Sequence, residues 1–140
     1  MRYSVSEPLF EDLLRLQKER RWGDATTERE SAVCLFAGFG HPIYLTRDGR
    51  VLIDTCWPEE TPEVRVANED EAIAGFVIGA QRFGLPELLD LLPPPPPGSS
   101  RCALCTGTRW LRFIDAIGDP AEVVCPDCGG RGWTSGTEVR

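Results

Sequence analysis

Between residues 7 and 21 apolar side chains recur three and four positions apart, with Leu9, Phe10, Leu13, Leu14 and Gln17 marking one face. That period predicts an amphipathic helix with Pro8 in its first turn, packed by this face onto its own domain. The period then shortens to two. Residues 31–36 read as a strand, Gly38-Phe39-Gly40 as a turn, and residues 42–46 and 51–55 as two further strands. Arg47-Asp48-Gly49-Arg50 joins the last two, and its Asp-Gly pair is expected to supply the positive φ angles of a tight hairpin turn.

An irregular acidic stretch over 56–63 precedes a short strand at 64–67. Asn68 followed by Glu71 has the form of a helix N-cap with a carboxylate reaching back. It opens a helix through Ile73, Phe76, Val77, Ala80 and Phe83, which Gly84 ends. Residues 86–92 read as a short helical segment offering Leu88, Leu89, Leu91 and Leu92 for burial. Gly75 and Gly79 stand four apart, a spacing that lets another element of the same domain approach closely. Residues 1–92 are therefore expected to form an α+β domain, with a small antiparallel sheet and flanking helices.

Pro93 to Pro97, followed by Gly98-Ser99-Ser100, breaks the pattern. Five successive prolines lack amide donors and favour an extended spacer of about 3 Å per residue, so residues 93–100 read as a linker. Beyond it, residues 110–114 and 121–124 look like two strands turning at Gly118-Asp119-Pro120. The expected organisation is an acidic domain at 1–92, the linker, a small β-hairpin module at 101–136 and a tail at 137–140.

Chemistry concentrates in that module. Cys102-Ala103-Leu104-Cys105 and Cys125-Pro126-Asp127-Cys128 are two C-x-x-C pairs separated by 19 residues, the arrangement of a structural zinc site. Two intervening residues let both thiolates of a pair turn toward one ion, and four sulfurs fill a tetrahedral shell. A filled shell leaves no place for a reactive water, so the expected role of Cys102, Cys105, Cys125 and Cys128 is to hold one structural Zn²⁺. Glycines follow both pairs, where a chain without Cβ wraps closely and turns its amides toward sulfur. Cys34 and Cys56 stand alone in apolar or strand-like contexts and read as small buried hydrophobes.

Cys125-Pro126-Asp127-Cys128-Gly129-Gly130-Arg131-Gly132 matches the full C-x-x-C-x-G-x-G knuckle of the DnaJ-type cysteine-rich zinc finger, and Cys102 to Arg109 matches it except at Arg109. Over about a quarter of the chain the module thus resembles that family, in which four knuckles hold two zinc ions and help handle unfolded chains. Two knuckles imply one ion here. The His-Pro-Asp triplet of a J-domain is absent, since His41-Pro42 continues with Ile43, and co-chaperone activity is not implied.

Composition narrows the function further. Hydrophobic residues make up 41% and charged residues 26% of 140, as in an ordinary folded protein. The first residues carry no secretory signal, and the apolar run 72–80 is too short to span a bilayer, so a cytoplasmic, non-membrane protein is expected. Net charge is −7: residues 1–92 carry 10 basic and 17 acidic side chains, and residues 93–140 carry 5 of each. Phosphate binding needs a basic face, so the leading expectation is a non-enzymatic protein that meets a protein partner through Trp110, Arg112, Arg131 and Trp133. Two alternatives stand beside it: a zinc-ribbon nucleic-acid binder using Arg101, Arg109, Arg112 and Arg131, and a thiol–disulfide protein using the C-x-x-C pairs. His41 is the only histidine, and neither acidic run, 58–60 or 68–71, has the spacing of a calcium loop.

Overall fold

The computed structural model describes residues 2–20, 32–36, 42–54 and 64–135. The chain separates into two compact units, Met1–Leu91 and Leu92–Arg140. The predicted turn at 38–40, His41 and Cys56 lie outside the described residues.

In the first unit helix α1 (Glu7–Arg20) is followed by strands β1 (Ala32–Phe36), β2 (Ile43–Thr46), β3 (Val51–Asp54) and β4 (Val64–Val66), then helix α2 (Glu69–Phe83) and a 3-10 turn at Pro86–Leu91. The strands form one antiparallel sheet in the order β1-β2-β3-β4. Phe10, Leu13 and Leu14 of α1 join Val33, Leu35, Leu45, Val51, Ile53, Ile73, Phe76, Val77, Phe83 and Leu88 in the buried core. Of the leucines offered by the last segment, Leu88 is buried and Leu89 and Leu91 are half-buried. A six-residue 3-10 turn presents fewer positions to one side than an α-helix would.

The helix–sheet contact explains the two glycines. A Cβ on Gly75 would lie 3.0 Å from Ile43 Cγ2, and one on Gly79 3.0 Å from Leu35 Cδ2, so their absence sets how closely α2 approaches β1 and β2. The start of α2 is fixed by a complete capping box. Asn68 Oδ1 accepts from Glu71 N at 2.8 Å and Glu71 Oε1 accepts from Asn68 N at 2.9 Å. Arg65 of β4 grips the same Glu71 carboxylate with both terminal nitrogens, at 2.8 and 2.7 Å. Gly84 closes α2 in the left-handed conformation, φ 68°.

Edge strand β1 is bulged between Cys34 and Phe36. The carbonyl of Leu35, inside the bulge, accepts from Arg82 at 3.0 Å, and the Cys34 amide donates to the buried Gln17 side chain of α1 at 2.7 Å. Gln17 thus completes the apolar face of α1 with a satisfied polar group. Burial pushes the Cys34 thiol up, against the nearby Arg82 guanidinium.

The β2–β3 connection departs from the expected two-residue turn. Only Gly49 has positive φ, at 90°, and Asp48 does not. Thr46 N donates to Arg50 O at 2.9 Å and Gly49 N to Thr46 O at 3.0 Å, so a three-residue loop ends in a glycine bulge. Asp48 serves through its side chain, accepting from the Thr46 hydroxyl and from Arg50 Nε. Gly49 has a second constraint: a Cβ there would collide with the carbonyl of Tyr3, whose amide donates to Gly49 O at 2.7 Å. No helix among the described residues is long and apolar enough to cross a membrane.

In the second unit the proline run takes no regular secondary structure before a turn at 96–99, where Gly98 has φ 86° and Ser99 N donates to Pro96 O. Ser100 already belongs to β5 (Ser100–Arg101), which pairs with β8 (Trp133–Thr134). Between them β6 (Trp110–Ile114) and β7 (Pro120–Val124) form an antiparallel hairpin whose turn is held by Asp115, with Oδ1 accepting from Ile117 N and Asp119 N.

Candidate metal centre

Each C-x-x-C sequence folds into a tight knuckle, and the second repeats the first 23 positions later. Thr106 and Gly129 have φ 54° and 64°, Gly107 and Gly130 have 85° and 91°, and Arg109 and Gly132 have 78° and 85°. The two knuckles are also joined reciprocally. Cys102 N donates to Gly132 O at 3.0 Å, and Cys125 N donates to Arg109 O at 2.9 Å. Arg101 pairs with Trp133 as Val124 pairs with Trp110. A local two-fold relation therefore maps one knuckle onto the other, and its sequence trace is the shared pattern C-x-x-C-x-G-x-x-W at 102–110 and 125–133.

This symmetry converges four sulfurs. Those of Cys102, Cys105, Cys125 and Cys128 all lie within 4.8 Å of one another. Across the knuckles Cys102 and Cys125 are 3.7 Å apart, as are Cys105 and Cys128. A tetrahedron with metal–sulfur bonds of about 2.3 Å has edges of about 3.8 Å, whereas a disulfide needs about 2.05 Å. All four cysteines are at most 4% exposed, and they form the buried cluster of this unit with Leu111 packed against it.

The backbone aims donors at the cluster. Amides of Arg109 and Gly107 serve the Cys105 sulfur, and those of Gly132 and Gly130 serve Cys128, the Gly132 contact being 3.3 Å. Burial opposes ionisation of Cys105, yet these amides and the neighbouring sulfurs of Cys102 and Cys128 bring its thiol down to about 7. Cys128 is pushed up to about 12 by burial and by the adjacent Cys105 and Cys125. Burial raises Cys125 as well. Four thiols crowded in a buried site resist shared ionisation, and a divalent cation at their centre would remove that resistance.

The four aromatic and basic side chains expected to face a partner are placed around this core. Trp110 and Arg112 lie on one face of the hairpin, Trp110 half-buried and Arg112 exposed with Nε 2.6 Å from Glu122. Arg131 and Trp133 meet each other, the guanidinium 6.0 Å from the ring centroid. Phe113 and Val123 are exposed on the opposite hairpin face. Three of the four arginines of the alternative basic patch are engaged locally: Arg112 with Glu122, and Arg109 and Arg131 with backbone carbonyls of the second knuckle. The chain matches no protein-family model, no curated protein and no solved structure.

Proposed function

We propose that the second unit is a zinc-ribbon-like module closed by one structural Zn²⁺ on Cys102, Cys105, Cys125 and Cys128, and that the protein is a non-enzymatic cytoplasmic adaptor whose partner is another protein. The carrying observation is the buried cluster of four sulfurs with 3.7 Å edges between the knuckles. All-sulfur tetrahedral coordination selects zinc or iron over hard cations, and a fully protein-filled shell suits a structural ion. The knuckles' likeness to the DnaJ-type finger supports the same ligand set. The proline run serves as the spacer to the acidic domain, and Trp110, Arg112, Arg131 and Trp133 are the residues proposed to meet the partner.

The metal is tested by elemental analysis of purified protein. One zinc per chain is expected, falling below a tenth in a variant carrying Cys125→Ser and Cys128→Ser. Protein without stoichiometric metal and with a reducible disulfide would sink the reading. Affinity capture with intact protein, with the double-serine variant and with Trp110→Ala plus Trp133→Ala tests the adaptor role. Binding that survives both changes would move the interaction to the first unit.

A further inference from the structure

Arg109 occupies the one position at which the first knuckle departs from the C-x-x-C-x-G-x-G pattern that the second follows in full. Its counterpart Gly132 has the same left-handed backbone, φ 85° against 78°, but there glycine carries no Cβ penalty. The backbone duties are shared: each residue sends its amide to the second sulfur of its own knuckle and its carbonyl to the first cysteine amide of the other. Arginine adds a side-chain contact. Its Nη1 donates to Gly130 O at 2.8 Å and to Arg131 O at 2.7 Å, reaching from the first knuckle to the loop of the second. A Cβ on Gly132 would lie 3.3 Å from Gly107 O and 3.7 Å from Arg109 Cγ, so the arginine stem already borders the space its counterpart would need.

Resting on the metal reading above, we infer that Arg109 is a positioning residue that clasps the two knuckles and slows escape of the ion. A metal held by two thiolates from each knuckle leaves when the knuckles part. That opening requires the hydrogen bonds between them to break, and the Arg109 guanidinium supplies two. Both bonds leave Nη1, so a single terminal nitrogen bridges two successive carbonyls of the second knuckle.

The test uses the full-length metal-loaded chain and Arg109→Gly, which restores the glycine of the knuckle pattern and so relieves the backbone. Metal transfer to an excess of a coloured chelator is followed in time. Release about tenfold faster than wild type is expected, the order of effect for losing a hydrogen bond to a charged group. Arg109→Met, which keeps the side-chain stem but has no N–H donor, is expected to release faster than wild type as well. Release from Arg109→Gly at the wild-type rate or slower would overturn the clasp and leave the metal site standing, and wild-type release from Arg109→Met would overturn its two-carbonyl form. Wild-type protein without bound metal would instead defeat the site itself.

Discussion

The unit ending at Leu91 buries Phe10, Phe76, Phe83 and a layer of aliphatic side chains between helices and a four-stranded sheet. In the unit beginning at Leu92, the buried cluster is four cysteines with Leu111 against them. Apolar burial contributes about 25 cal/mol per Å², which accumulates in the first unit and is scarce in the second. The second unit therefore needs a different source of stability, and a structural ion in a comparable peptide supplies about 10–16 kcal/mol. On the metal reading proposed above, one chain thus contains a part that folds by excluding water and a part that folds by ligation.

The largest expected effect separates the two at once. Stripping the ion with a strong chelator, or protonating the thiolates with acid, is expected to collapse the amide resonances of residues 100–135 while those of α1 and α2 persist. Protons compete with metal for thiolate, so the metal-bound fraction falls as pH falls. Simultaneous loss of both sets of resonances would break the comparison. The converse cut is Phe76→Ala, expected to cost the first unit about 3–5 kcal/mol in denaturant unfolding through the cavity it leaves. Metal content should stay at the wild-type level.

Smaller changes sharpen the description of the first unit. Gly79→Val forces a side chain toward Leu35 and Leu88 and is expected to destabilise by about 1–3 kcal/mol. Asn68→Ala removes the α2 cap, at about 1 kcal/mol in the same assay. The smallest effect concerns Asp48, whose carboxyl is held below the usual range mainly by the Thr46 hydroxyl, with Arg50 assisting. A depressed folded pKa contributes stability above the unfolded value and loses it as pH falls. Unfolding midpoints measured from pH 6 to pH 3 should therefore fall more steeply for wild type than for Asp48→Asn; parallel curves would remove Asp48 from the account.

Local rules carried much of this structure. The α1 face, the cap at Asn68, the stop at Gly84 and the close approach at Gly75 and Gly79 each depend on residues a few positions apart, where spacing and chemistry are readable. The C-x-x-C pairs were legible for the same reason. Features made by distant segments were not: the Leu35 bulge depends on Arg82 of α2, and the β5–β8 pairing joins residues on either side of both knuckles. The Asp-Gly turn misled because Asp48 works through its carboxylate rather than its φ angle. Arg109 broke the glycine pattern of its knuckle, and a break of that kind inside an otherwise regular repeat marked the arginine whose side chain spans both halves.

Strand β4 is the outermost strand of the described sheet, with Val64 and Val66 51% and 52% exposed. Such a rim invites a neighbouring chain to add a strand, the first step of edge-to-edge aggregation. Arg65 stands between the valines opposite Ile53, and its tie to Glu71 holds its charge toward the helix. A three-residue edge with a charge anchored on its core side is a poor template for a growing fibril, so the salt bridge that organises the start of α2 also disfavours strand addition at this edge of the sheet.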